Sequence, residues 1–118
     1  MARVKEGDVF KNIKDAIEAK RPVTLLDHEA PVLQRVVCPH ILYEMESGEV
    51  LVHFLQLWGF SSTGLKEGVD NWRNLHVANI AKVEDALASA SWITPDSYNP
   101  DNRKQFFKIL FKVKKRRK

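Results

Sequence analysis

From Val9 to Ala19 the chain reads Val-Phe-Lys-Asn-Ile-Lys-Asp-Ala-Ile-Glu-Ala, with Val9, Phe10, Ile13, Ala16 and Ile17 at helical spacing and Lys11, Lys14, Asp15 and Glu18 on the other side. The spacing predicts an amphipathic helix. Gly7-Asp8 opens it, with Asp8 as the candidate cap. Lys20-Arg21-Pro22 closes it, because the residue before a proline is pushed out of the α region. After Pro22 the period shortens to that of strands, in the runs Val23 to Leu26, Leu33 to Val37, Ile41 to Met45 and Val50 to Trp58. Glu46-Ser47-Gly48-Glu49 between the last two is hairpin-like, with Gly48 available for positive φ. In the fourth run Val50, Val52, Phe54 and Trp58 share one face, interrupted by Gln56, while Leu51, Leu55 and Leu57 share the other. Two apolar faces mark a central strand or part of a small closed barrel.

Gly59 to Asp70 contains three glycines and the consecutive hydroxyl residues Ser61, Ser62 and Thr63, which reads as a loop well placed to touch a ligand. Trp72 to Val77 alternates as a strand, with Trp72, Asn74 and His76 against Arg73, Leu75 and Val77. Ile80 to Val83 continues as strand, and Asp85 to Ala90 is compatible with a helical turn. Asn99-Pro100-Asp101 has the form of a helix start, and Phe106, Ile109, Leu110 and Val113 then follow the i, i+3, i+4, i+7 rule. The expected class is therefore mainly β with flanking helices (α+β): an amphipathic helix, about five strands, and a second amphipathic helix at the C-terminus.

A chain of 118 residues, 44% hydrophobic, fits one domain and is short for two. We expect residues 1–102 to form it, with residues 103–118 as a basic amphipathic helix or tail packed on the same domain. No apolar run approaches the roughly 20 residues needed to cross a bilayer, and no signal-peptide core follows Met1, so a soluble cytoplasmic protein without a membrane partner is expected. The lone Cys38 rules out an intrachain disulfide and a multi-cysteine zinc site.

Charge changes the picture by its position. Residues 103–118 carry nine basic side chains and no acidic one, which leaves ten basic against fifteen acidic groups elsewhere, a net of −5. An acidic body with a basic end directs any polyanion to the tail or its surroundings. Lys112, Lys114, Lys115, Arg116, Arg117 and Lys118 are the candidate nucleic-acid contacts, giving salt-sensitive and sequence-indifferent attraction. The plainer role of such a run is to be a solvated end that complements a helix dipole.

Nothing in the chain has the spacing of a common catalytic or metal motif. His28, His40, His53 and His76 form neither a His-x-x-x-His pair nor a Cys/His cluster, and no nucleophile elbow, phosphate loop or dinucleotide fingerprint occurs. No cofactor, metal or catalytic residue is expected. Cys38, with His40 two residues on, is more simply a small buried hydrophobe than a nucleophile. Trp58, Trp72 and Trp92 are ordinarily core, although Trp72-Arg73 places a flat ring beside a planar donor fork suited to phosphate or carboxylate.

Taken in order, these segments resemble the WYL-domain family, in particular its short free-standing members. The residues that carry the resemblance begin with Ile-Lys-Asp-Ala-Ile-Glu-Ala-Lys-Arg-Pro-Val (13–23) and Arg-Val-Val-Cys-Pro-His-Ile-Leu (35–42), the latter similar to a recurrent Arg-x-Val-x-Pro-His-x-Leu segment. Gly48-Glu49, the strand Val52 to Leu55, the Gly-Phe-Ser-Ser-Thr-Gly loop, Trp72 to Ile80 and Tyr98-Asn99-Pro100-Asp101 follow. The Trp-Tyr-Leu tripeptide that names the family is His53-Phe54-Leu55 here, and an arginine of the family pattern is Asn79.

The resemblance implies an Sm-like small β-barrel with flanking helices. It also implies a non-enzymatic module that senses a ligand or binds a nucleotide, single-stranded nucleic acid or other anion in regulation of transcription or phage defence. No winged-helix domain precedes the barrel segments, so a stand-alone transcription factor is not expected. The implied ligand set is Arg35, His40, His53 and Arg73, to which our reading adds Trp72 for stacking and Ser61, Ser62 and Thr63 as a closing loop. The alternative is a structural or oligomerisation module, a homodimer or a complex with a regulatory protein, built on the apolar C-terminal helix.

Overall fold

The structure is a computed structural model that describes residues 7–28, 34–59, 65, 70–86, 89–102 and 104–114. Helix α1 (Asp8–Ala19) buries Phe10, Ile13, Ala16 and Ile17, the face the spacing predicts. Its start differs in detail. Gly7, in extended backbone, is the N-cap without a side-chain bond, and Asp8 lies inside the first turn, where its charge favours the helix dipole. At the other end Lys20 takes the left-handed conformation (φ 52°), so the amides of Lys20 and Arg21 return to the Ile17 and Ala16 carbonyls before Pro22.

The remaining elements among the described residues are β1 (Val23–Asp27), β2 (Gln34–Glu44), β3 (Val50–Gly59), β4 (Trp72–His76), β5 (Ile80–Asp85) and β6 (Lys108–Lys112), with one 3-10 turn, Val77–Asn79, between β4 and β5. All pair antiparallel in one sheet, ordered β4-β3-β2-β1-β5, and β6 joins the path at β2. Among the described residues the protein is thus mainly antiparallel sheet with one α-helix. Helix α1 packs across β2, β5 and β6, and the Phe10 and Phe111 rings meet edge to face at 6.0 Å.

The predicted runs 33–37 and 41–45 are one bent strand, β2, continuous through Pro39. Its edge opposite β3 is shared, since Val37 pairs with Val23 of β1 and Ile41 with Lys112 of β6, so Pro39 falls in the gap between two partners where its missing N–H costs no ladder bond. Against β3, Pro39 pairs with Phe54 and Ile41 with His53, which leaves His40 as the extra residue of a β-bulge.

The predicted C-terminal helix is not formed at 108–112, where the chain is strand β6. The reason lies in β2. With β1 ending at the Gln34–Val37 half, the buried Ile41, Leu42 and Tyr43 would face an unpaired edge, and burying unpaired peptide groups outweighs the small helix preference of a short segment. Ile109-Leu110-Phe111, a continuous apolar run, supplies the partner. Asn99, the expected cap of that helix, instead accepts the Asp101 amide at 3.3 Å in a local turn. No helix among the described residues is long and apolar enough to cross a membrane.

Candidate functional site

The face of the sheet that carries His53 is set by register. His53 pairs with Ile41 on one side and Asn74 on the other, and Leu55 pairs with Trp72, so His53, Leu55, Trp72 and Asn74 project together. The bulge aims His40 at the same place. Trp92, Thr94, Tyr98 and Phe106 cover it.

Around His40, fully buried, lie Trp92 (stacked, 4.6 Å between ring centroids), Trp72 (edge-on, 5.0 Å) and Tyr98 (4.9 Å). Its Nδ1 is 2.8 Å from the Cys38 carbonyl, which accepts only, so Nδ1 bears the proton. Nε2, 3.0 Å from Thr94 Oγ1, then accepts the threonine hydroxyl, and that same oxygen takes the Trp92 indole N–H at 2.9 Å. The chain is closed and uncharged. Burial, with a smaller contribution from neighbouring His53, lowers the His40 pKa to about 4 against the raising effect of the Cys38 carbonyl.

His53 stacks almost parallel on Trp72 (4.7 Å, 7°) and meets Phe106 edge to face at 4.9 Å. Its Nδ1–H donates to Asn74 Oδ1 at 3.0 Å, an oxygen that also accepts the Tyr43 hydroxyl at 2.9 Å. Burial lowers the His53 pKa in spite of the Asn74 bond. Burial likewise raises the Tyr43 hydroxyl to about 12 and, with the Asp101 charge, raises that of Tyr98, whose O–H donates to the Val113 carbonyl at 2.6 Å. Trp72 stacks on Tyr98 as well (5.7 Å, 26°) and donates to Ser97 Oγ at 2.8 Å, which in turn donates to Asp70 at 2.5 Å. The indole makes its parallel contacts and its N–H bond within the protein. Such a nest of neutral imidazoles and rings is cohesive material, each aromatic pair contributing roughly 1 kcal/mol beyond its buried area.

The expected ligand set is therefore divided. His40, His53 and Trp72 come together. Arg73 pairs with Phe54 and lies on the opposite face of β4 from Trp72, since neighbouring strand residues point apart. Arg35 sits at the far end of β2, its guanidinium 3.7 Å from the Asp27 carboxylate, both side chains mostly buried. Ser61, Ser62 and Thr63 lie outside the described residues, as do Lys115, Arg116, Arg117 and Lys118. Cys38 is fully buried, within 3.9 Å of the Ser91 carbonyl, and burial raises its pKa, which favours the inert thiol. A depression of about 390 Å³ beside the β2–β3 hairpin is lined by Gly48, Glu49, Val50, His76, Ala78 and Asn79, away from the ring nest, and Glu49 and His76 Nδ1 meet there at 2.9 Å. Among the described residues no three His, Cys, Asp or Glu side chains converge as a metal site would require.

The C-terminal region presents both charged and apolar groups to solvent. Lys104, Lys108, Lys112 and Lys114 are exposed, and Phe107 among them is 60% exposed. Lys104 and Lys108 belong to the basic run 103–118 but not to the candidate contacts, and the helix expected over that run sets Phe107 beside its apolar face of Phe106, Ile109, Leu110 and Val113. Trp92, Thr94 and Ser97, which complete the nest, occupy a segment without regular period; only the Trp92 ring signalled itself. Comparison with protein-family models, with curated proteins and with solved structures finds no match to this chain.

Proposed function

We propose that this protein is a non-enzymatic nucleic-acid-binding module that holds the phosphate backbone with the cations of its C-terminal strand. The observation that carries the reading is β6 itself. It makes residues 108–112 of the basic C-terminal region a paired strand of the sheet, with Lys108 and Lys112 exposed on it and Lys114 exposed two residues beyond. Lys112 ends the strand and Lys114 follows it, just past the Val113 amide that bonds to the His40 carbonyl. The one-residue shift between Leu42 and Tyr43 puts Lys108 on the other face of the strand from Lys112. The cations thus form a rim and not a groove, suited to phosphates and indifferent to base sequence. Lys115, Arg116, Arg117 and Lys118 extend the same charge in sequence.

The resemblance to WYL domains is part of this proposal, and so is a barrel. The end strands of the sheet path, β4 and β5, are consecutive in the chain and joined by the 3-10 turn Val77–Asn79, and the Asn79 carbonyl accepts the His28 amide just beyond β1. That brings the two ends of the path close, as closure needs. An oligomerisation role resting on a C-terminal amphipathic helix has lost its element, because Ile109, Leu110 and Phe111 are half-buried in the protein's own sheet.

Fluorescence anisotropy with a labelled ten-nucleotide strand tests the reading. Three lysine–phosphate contacts imply an affinity loss of roughly 20-fold between 50 and 200 mM salt from these groups alone. The combined variant Lys108→Ala, Lys112→Ala, Lys114→Ala should reduce the log–log salt slope by about 2. Absence of saturable binding, or an unchanged slope in the variant, overturns the proposal.

A further inference from the structure

We infer that Phe107 is a stacking platform for an unpaired nucleobase, which makes the ligand of the basic strand single-stranded; the inference rests on the binding reading above. The ring is displayed from a fixed base. Phe106, its neighbour, is buried against Tyr43 and His53 at 4.9 Å each, and its amide is bonded to the Asn102 carbonyl at 2.9 Å. The backbone cannot fold Phe107 inward without pulling Phe106 from the nest. A ring held in this way loses little further freedom when a ligand lands on it.

The charges around it select the ligand. Exposed Lys104 and Lys108 flank Phe107, and the cations continue at Lys112 and Lys114. Exposed Met45 lies at the same end of the β2–β6 ladder, next after the paired Glu44 and Lys108, and adds a second apolar surface. Half-buried Glu44 stands across the ladder from Lys108 and exposed Glu46 lies in the hairpin beyond Met45, so a polyanion is repelled from the hairpin and led along β6 towards Lys112 and Lys114. An apolar flat ring set among lysines fits a ligand that pairs a negative backbone with planar apolar faces turned outward. A single strand has that chemistry, whereas a duplex keeps its faces stacked inside.

The test compares three probes, the ten-nucleotide oligothymidylate, a ten-base-pair duplex and a heparin oligosaccharide of similar charge, on wild type, Phe107→Ala and Phe107→Trp. Near-ultraviolet circular dichroism checks that each variant is folded. Phe107→Ala should weaken the single strand by at least about five-fold and leave heparin unchanged, while Phe107→Trp restores or strengthens the single strand. Equal effects on single strand and heparin, or no effect on either, overturn the platform and leave the basic strand standing. Failure of wild type to bind any probe overturns both. A sedimentation mass above the monomer in wild type that falls in Phe107→Ala assigns the surface to a second copy and also overturns the platform.

Discussion

His40 holds its proton on Nδ1 and accepts on Nε2, so adding a second proton would break the Thr94 bond and place a charge among three aromatic rings. Its folded pKa near 4 lies below the ordinary value of 6.5, so the unfolded chain binds more protons between those values. The sign follows: the neutral ring's contribution is complete above about pH 6.5 and is lost as the pH falls towards 4. At about 1.4 kcal/mol per pH unit, the loss is on the order of 3 kcal/mol, and His53, shifted in the same direction, adds to it. Urea midpoints should therefore fall between pH 7 and 4.5, and His40→Gln, though less stable at pH 7, should show a shallower fall. Parallel pH curves for the two proteins would refute this account of the nest.

Backbone conformation supplies the predictions that belong to elements. Lys20, at φ 52°, ends α1 in a conformation that costs a side-chain-bearing residue roughly 1 kcal/mol, so Lys20→Gly should stabilise the protein by up to about that amount in urea unfolding. Gly59 ends β3 at φ 104°, and a Cβ there would come within 3 Å of the Gln34 carbonyl oxygen, which is backbone and cannot swing away. Gly59→Ala should cost 2 kcal/mol or more, whereas Gly48→Ala, at φ 92° in open space, should cost about 1 kcal/mol. Equal losses would show that the Gln34–Gly59 approach is not tight.

The same elements show how much the chain reveals unaided. Helix α1 and strands β1, β3, β4 and β5 are legible because their apolar period is local. Strand β6 is not, because Phe106, Ile109, Leu110 and Val113 satisfy a helical template and the demand for a strand comes from the distant edge of β2. The meeting of Trp72 with His53 depends on register, which no single segment contains. The separation of Trp72 from Arg73, by contrast, follows from the strand alternation alone, and pairing them as one ligand site overlooked it. His40 reached the nest through a bulge, whose sequence sign is Pro39.

At the scale of the molecule, the protein has a sheet with helix α1 on one face, a ring nest capped by Trp92, Tyr98 and Phe106 on the other, and an edge of lysines at β6. The neutral nest gives that edge a rigid support; it offers no charge of its own to a polyanion. The most direct measurement is therefore a titration of the 15N-labelled protein with the ten-nucleotide strand, followed by amide chemical shifts. The account predicts perturbations concentrated at Phe107 to Lys114 and their β2 partners, with the Arg35 and Arg73 amides still. Shifts centred on Arg35 or Arg73, or on none of these residues, would contradict it.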